Sequence, residues 1–522
     1  MIKNRDNWGS KIGVVCAVAG SAIGLGNFLR FPVKAATNGG GAFLIPYFIA
    51  LVLIGIPVAW IEWALGRHGG KYGHGSAPGI LNAITRHSWV KYFGSLGIFG
   101  PMLIFFYYCY IESWLLGFTW YALTGELMKV TANGTVGEFF GNYISLKTIA
   151  FAGIPSALFF FLLTFLINFT VIYFGIRRGI EIVNKYALPA ILILGILLLI
   201  RTLTLPGIGH GLGYMWNPDL SKLRDSKAWF EAAGQIFFTL SVGIGVIMTY
   251  ASYVKKGQDI ALSSLTSCAT NELAEVIIGG TLIIPLAIVI YGANNIAEIA
   301  KMGTLGLGFQ TMPVIFGKVT LGGLFQFVWF LLLFLAGVTS SVSILQPAIS
   351  FLEDDAGMTK RFSVAIVALI TFFFGLIAVF GLSAGAVDEM DWMTDFCLIS
   401  FGLIETIIFG WFFGIDKGMK ELDEGAEIKI PAFFGFVFKY ITPICLICVL
   451  SFWLLQNAPE RIFLKGVQES KFVFAGIETS NIAVIYFTRG AMLFLIASIC
   501  IFTFFAWKKQ NIDEKLKQLE EN

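Results

Sequence analysis

Gly20-Ser21-Ala22-Ile23-Gly24-Leu25-Gly26-Asn27, followed at once by Phe28-Leu29-Arg30-Phe31-Pro32, interrupts the first long apolar segment of the chain. A helix crossing a bilayer must satisfy its own backbone hydrogen bonds, because lipid offers no partners. Glycines, an amide and an arginine in mid-segment are costly there unless the helix is meant to break. A broken helix presents carbonyls, N–H groups and helix ends at membrane depth, which is how many transporters build ion and substrate sites. Function is to be sought at this break.

The surrounding composition agrees. Of the 522 residues, 57% are hydrophobic and only 13% charged, and the mean hydropathy is +0.79. About twenty apolar residues suffice to span a membrane, and runs such as 149–173, 187–200, 325–336 and 362–380 recur along the chain. This predicts a polytopic, all-α membrane protein. The net charge of +3 gives no reason to expect a nucleic-acid partner. All seven cysteines fall in apolar segments. The Cys445-x-x-Cys448 pair has no second pair and no histidine near it, so it reads as small apolar helix residues rather than a metal or redox site. The first apolar run continues past the length of a signal-peptide core and is read as retained.

The hydropathy pattern predicts twelve spans, at 12–36, 42–65, 90–122, 149–174, 182–203, 230–253, 259–290, 325–351, 362–380, 390–412, 434–455 and 482–507. Residues 204–227 and 457–480 read as long external loops, and 292–323 as an external loop that folds back as short helices. The short ends holding Lys3, Arg5 and Lys11, then Arg67, Lys71, Arg86 and Lys91, and finally Lys508 and Lys509 are basic. The positive-inside rule therefore puts both termini in the cytoplasm of a cell that carries the protein in its inner membrane.

A second break lies in the sixth span, at Phe238-Thr239-Leu240-Ser241-Val242-Gly243-Ile244-Gly245. Spans one and six open two groups of five, and interrupted segments at matching places in two halves point to an inverted-repeat transporter. The implied division is 1–204 for the first repeat, 205–428 for the second, and 429–522 for spans eleven and twelve with a tail. Polar residues inside spans are scarce and tend to be functional. Asn271 and Glu275, four apart, share one helix face. Ala336, Thr339 and Ser340 also share a face, so a carbonyl and two hydroxyls can converge on a cation, or the hydroxyls can simply bond back to the preceding turn.

Several longer runs carry a resemblance. The segment 5–75 contains Trp8, the Gly20 to Pro32 run, Asn38-Gly39-Gly40-Gly41-Ala42-Phe43 and Trp60-Ile61-Glu62-Trp63. Further matches are Tyr107-Tyr108 with Glu112-Ser113-Trp114, and residues 234–241, 271–275, 336–346, 351–354 and 388–391. Together they resemble the neurotransmitter:sodium symporter family, and within it the bacterial leucine-transporter branch. The resemblance implies a twelve-helix, 5+5 inverted-repeat fold with broken first and sixth helices. It also implies two sodium ions and no organic cofactor. The first ion would take the Ala22 carbonyl, Asn27, Thr239, Asn271 and the substrate carboxylate. The second would take the carbonyls of Gly20, Ile23 and Ala336 and the hydroxyls of Thr339 and Ser340. Neutral oxygens suit a hard monovalent ion that must also leave.

By the same resemblance, a substrate carboxylate would meet the N–H groups of Leu25 and Gly26 and the Tyr108 hydroxyl. Its ammonium would face carbonyls of Ala22, Phe238 and Thr239 and the Ser241 hydroxyl. The side-chain pocket would be Ile104, Phe238, Ile244, Ser340 and Ile344; no charge lines it, so a charged side chain should be rejected. Ile104 stands where valine, and Ile244 where phenylalanine, occurs in the leucine-transporter branch, leaving leucine, alanine and methionine types open. Arg30 and Asp391 would form an outer gate, and Arg5 with Asp354, beside Trp8, Ser252 and Tyr253, an inner one. Glu275 stands where chloride-dependent relatives have serine, which implies chloride independence; proton antiport through the same carboxylate is a secondary expectation.

The function expected is sodium-coupled symport of small to medium apolar amino acids by alternating access. A passive channel or a proton-driven amino-acid transporter of related fold are the alternatives. Gly381-Leu382-Ser383-Ala384-Gly385 has the letters of a hydrolase elbow but lies at a turn between apolar spans, so no enzyme is expected. The partners are a small amino acid, sodium and the lipid bilayer, with a homodimer left open.

Overall fold

The computed structural model describes residues 7–149, 153–292, 301–464, 467–514 and 516. Arg5 lies outside them, as do 150–152 of the expected fourth span, 293–300 of the expected re-entrant loop, and 465–466 of the last external loop.

Helix α1 (Lys11–Ala22) begins at Ser10, whose hydroxyl accepts the Gly13 N–H at 2.9 Å, a favoured cap. It ends where Ile23 turns extended, at φ −76° and ψ 99°. The chain resumes through the wide turn Gly26–Arg30 into α2 (Phe31–Thr37), and the two halves are bent by 46°. There follow α3 (Ile56–Gly70), α4 (Leu96–Leu123), α5 (Ser156–Gly175) and α6 (Glu181–Leu203). The sixth span is broken as the sequence predicts. Helix α7 (Ser226–Thr239) stops, and α8 (Val246–Ala251) starts only after a stretch in which Ser241, Gly243 and Gly245 have φ of 53°, 73° and 71°. Helices α9 (Ala261–Glu272) and α10 (Thr281–Tyr291) are joined by a wide turn, Leu273–Gly280. The remaining long helices are α11 (Gly322–Ile344), α12 (Lys360–Gly381), α13 (Ala386–Ile407), α14 (Thr442–Ile462) and α15 (Asn481–Gln510).

Among the described residues, nine helices are long and apolar enough to cross a membrane, or ten if the bent α1–α2 pair is one span. This is short of twelve for two physical reasons. Residues Ser156–Leu203 form one 48-residue run that would be about 72 Å long if straight, far beyond a bilayer core of roughly 30 Å. Gly175, at φ 77° and ψ −164°, turns the chain inside it. The pieces α7 and α8 are each too short to qualify alone.

Two local expectations need correcting. The fourth span begins at Ser156 rather than at residue 149, because Ile149 pairs with Pro155 and the Ser156 N–H returns to Thr148 O at 2.8 Å. The loop at 457–480 is not irregular throughout: α14 runs on to Ile462, and Lys471–Phe474 pairs antiparallel with Ile477–Ser480. The two-residue turn Ala475-Gly476 has φ of 49° and 86°, the both-positive geometry that matches strand twist in a tight hairpin.

The interior is apolar, and so is much of the outer surface. Large apolar side chains such as Leu166, Ile193, Leu369 and Phe494 face outward, as lipid requires. In its most apolar stretch the span Val90–Leu123 is 89% buried and Asn481–Gln510 only 33%, so α4 lies at the centre and α15 at the periphery. Helix α4 packs chiefly on α11, α13 and α5, and the two breaks face it.

Candidate functional site

The break after α1 sits against α4 and α11. A Cβ on Gly24 would come within 2.8 Å of Ser340 Oγ and 2.9 Å of the Tyr108 hydroxyl oxygen, so only glycine lets the unwound backbone approach both. Three carbonyls of the break converge on Ser340, whose Oγ lies 3.5 Å from Gly20 O, 3.1 Å from Ser21 O and 3.5 Å from Ile23 O. At the adjacent position, Thr339 Oγ1 lies 3.1 Å from both Ala336 O and Leu335 O, one turn back on α11. Neutral oxygens from two helices thus face one another with no charged side chain between them.

A second cluster forms where α2's leading turn meets α7 and α9. Asn27 Nδ2 donates to Asn271 Oδ1 at 2.7 Å, lies 3.2 Å from Thr239 Oγ1, and reaches Glu275 Oε2 at 3.1 Å, while Asn27 Oδ1 accepts the Gly24 N–H at 2.8 Å. Glu275 is wholly buried. Its carboxylate accepts from Gln235 Nε2 at 2.7 Å, from Asn27 and Asn271 and from the Thr239 hydroxyl. Every donor is neutral, so an ionised Glu275 would have no cationic side chain among its hydrogen-bond partners. Such a charge is costly to bury alone, and a bound cation nearby would offset it.

Between the clusters lies a narrow pocket with a cavity volume of about 40 Å³. Its walls include Ala22, Leu25, Gly26, Ile104, Tyr108, Phe238, Thr239, Ser241, Ile244, Ser340 and Ile344, every side chain and backbone segment expected for a substrate. At one end, the Leu25 N–H points at the Tyr108 hydroxyl oxygen across 3.4 Å. The N-terminal N–H groups and positive dipole of a restarting helix favour an anion at this end. Ser241 reaches the same wall at φ 53°, and its hydroxyl donates to Ser21 O at 3.0 Å, tying one broken helix to the other.

Three lining residues were not foreseen: Ser21, Gly24 and Leu398. The first two lie inside the quoted break, so their signal was available. Leu398, on α13, sits in an unremarkable apolar run and carries none. In the sequence Glu62 stands out only as part of the Trp60-Ile61-Glu62-Trp63 run. Its carboxylate accepts the Gly243 N–H at 2.5 Å and the Met248 N–H at 3.3 Å, bracing the unwound part of the sixth span from α3. Glu112, one turn along α4 from Tyr108, accepts from Asn168, whose Oδ1 takes the Ser341 hydroxyl at 2.6 Å.

Above the pocket, the Arg30 guanidinium lies 4.3 Å over the Phe238 ring, and Asp391 accepts the Tyr107 hydroxyl at 2.8 Å. Below it, the Trp8 indole donates to Tyr250 O at 3.0 Å and packs edge-on against the Tyr250 ring. The Tyr253 hydroxyl lies 2.8 Å from Ser350 Oγ and donates to Asp354 at 3.4 Å, and the Ser252 hydroxyl returns to Thr249 O.

Two matched helix breaks around a buried pocket of carbonyls, hydroxyls and apolar walls define a membrane transporter with its site at mid-depth. Comparison narrows this. The chain matches the Sodium:neurotransmitter symporter family over residues 5–138 and 130–506, and it belongs to that family; it is a transporter, not an enzyme. An uncharacterized sodium-dependent transporter of Methanocaldococcus jannaschii is 32% identical over 461 residues, covering 85% of this chain and 90% of the relative. Another uncharacterized sodium-dependent transporter, from Haemophilus influenzae, is 29% identical over 468 residues, with 86% and 98% covered. Among solved structures, MhsT in complex with L-phenylalanine is similar at a TM-score of 0.74 and 27% identity, covering 86% of this chain and 99% of MhsT.

Proposed function

We propose that this chain carries an apolar amino acid across the cell (inner) membrane together with sodium, by alternating access at the two breaks. The observation that carries the reading is the pocket itself. It offers N–H groups and a tyrosine hydroxyl at one end and carbonyls beside them, and its far wall is Ile104, Ile244, Ile344 and Leu398. A zwitterion with an apolar tail fits that order of chemistry, and a charged tail would lose its hydration without a partner. The amino acid held by MhsT supports the same class of cargo.

In this reading two sodium ions are bound. One is held by Ala22, Asn27, Thr239 and Asn271 with the substrate carboxylate, the other by Gly20, Ile23, Ala336, Thr339 and Ser340. Sharing a carboxylate makes ion and amino acid each raise the other's affinity. Glu275 supplies the negative charge beside the first ion, so chloride is not needed. Arg30 with Asp391, and Arg5 with Asp354, open in turn on the two sides, with both termini cytoplasmic and residues 1–204 and 205–428 acting as the inverted halves. Residues 429–522 add the last two of twelve helices. Each chain carries its own route, so a homodimer would be two independent routes.

The test is binding of each of the twenty amino acids to the purified protein in sodium or potassium, with and without chloride. Saturable binding of apolar amino acids in sodium alone, whatever the anion, is expected. Binding that ignores sodium, or ohmic flux in vesicles, would overturn the reading.

A further inference from the structure

Helix α6 has no assigned part in the site, yet one of its side chains reaches it. Asn184 is wholly buried, on a helix that packs against both α1 and α11. Its Nδ2 donates to Ile180 O at 2.9 Å, a back-bond of the kind a polar side chain often makes to the preceding turn of its helix. That bond fixes the amide, because turning it over would set Oδ1 against a carbonyl oxygen. Among the described residues, Oδ1 itself has no hydrogen-bond partner. A buried oxygen left so is rare and costly, and a leucine here would avoid the cost.

What Oδ1 faces is the end of α1. It occupies the space that a Cβ on Gly20 would need, and Thr339 Cβ lies 3.5 Å from the same point. Glycine at position 20 therefore admits the amide, and α1, α6 and α11 meet there. The Gly20 carbonyl and the Thr339 hydroxyl are both oxygens assigned above to the second sodium ion, and Gly20 O lies 3.5 Å from Ser340 Oγ, a third. Glu181, three residues earlier on the same face of α6, is engaged elsewhere. Its carboxylate accepts the Gly9 N–H at 2.8 Å and the Ser10 hydroxyl at 3.0 Å, at the start of α1. The back-bond accounts for the nitrogen of Asn184 and leaves its oxygen without a reason. A hard monovalent cation supplies one, since neutral oxygens are the ligands it takes.

Resting on the assignment of that second ion, we propose that Asn184 Oδ1 is a further ligand of it, beside the oxygens of Gly20, Ile23, Ala336, Thr339 and Ser340. The ion is then held from three helices instead of two. Its departure frees α6 from α1 and α11 together.

Sodium affinity is read from the rise in apparent melting temperature of the purified full chain as sodium replaces potassium, with no amino acid present. Asn184→Leu, close in volume and without either polar atom, should weaken sodium by about tenfold or more. In potassium it should melt no lower than the wild type, because an unpartnered oxygen has been removed. Asn184→Ala, which only shortens the side chain, should show the same weakening. Asn184→Asp, which keeps an oxygen in place, should bind sodium at least as tightly as the wild type. Thr339→Val removes an oxygen already assigned to this ion and is the control. If it weakens sodium while Asn184→Leu and Asn184→Ala bind as the wild type does, Asn184 is no ligand and the second site stands without it. If none of the three weakens sodium, the second site itself is lost, and Asn184 with it. A melting temperature lowered equally in sodium and potassium would make Asn184 a packing residue, and a loss in Asn184→Asp as deep as in Asn184→Leu would also overturn the proposal.

Discussion

Asn27 is the side chain on which the first cluster turns. Its amide reaches across to Thr239, Asn271 and Glu275 while its oxygen holds the Gly24 N–H, and the side chain is wholly buried. Truncation removes several hydrogen bonds and leaves buried partners unpaired, at about 1–3 kcal/mol for each orphaned group. Asn27→Ala is therefore expected to abolish the sodium response of amino-acid binding; retained sodium dependence would remove Asn27 from the proposed ion site. Leu398 makes a different point. Leu398→Ala empties part of the pocket wall, and the preference should shift toward bulkier side chains by roughly 10–200-fold, the range that a change in apolar fit provides. Competition binding with leucine and phenylalanine measures it. Asn27 could be picked out from the sequence because a lone amide just after a run of glycines is costly in lipid, whereas Leu398 could not, because apolar residues line the pocket and the bilayer alike.

At the scale of elements, the breaks themselves need support. The unwound segment after α7 and the first turn of α8 present N–H groups with no partner within the helix, and Glu62 of α3 takes two of them, from Gly243 and Met248. Glu62→Ala should destabilise the protein by about 2 kcal/mol or more, as two buried donors lose their acceptor, and should abolish uptake; Glu62→Gln, which keeps one acceptor oxygen, should lie between. The apparent melting temperature in detergent orders the three proteins. Gly66, one turn further along α3, would place a Cβ 2.1 Å from Met248 O, so Gly66→Ala must push α3 away from α8 and is expected to cost about 1–3 kcal/mol. Both breaks were legible from glycine and polar residues within apolar runs. Their braces were not, since Glu62 lies nearly two hundred residues from the donors it holds. The late start of α5 escaped for another reason: Ile149 and Phe151 extend the apolar pattern of the span, and only the turn back through Pro155 ends it.

At the scale of the whole molecule, the fold class was legible because hydropathy reports burial in lipid directly. The count of crossings was not, because a run of 48 residues and two short half-helices both defeat a rule based on length. What links the scales is that the proposed ion and substrate ligands come from opposite halves of the chain: Asn27 and the Gly20–Ile23 carbonyls from residues before 204, Thr239, Asn271, Thr339 and Ser340 from residues after. In the proposed cycle, a ligand bridging the halves binds only the arrangement in which they meet, and so stabilises it by mass action. At a hundredfold excess over its dissociation constant, a single ligand contributes about 2.7 kcal/mol. Sodium chloride should therefore raise the apparent melting temperature where equal potassium or choline chloride does not, and sodium gluconate should do the same as sodium chloride. An apolar amino acid should raise it further in sodium, and hardly at all in potassium, because the first ion and the carboxylate share a site. In Asn27→Ala the amino-acid increment should vanish, while the sodium increment from the second site, at Thr339 and Ser340, persists. If one substitution erased both increments equally, the two sites would not be independent, and the assignment of oxygens to two separate ions would have to be given up.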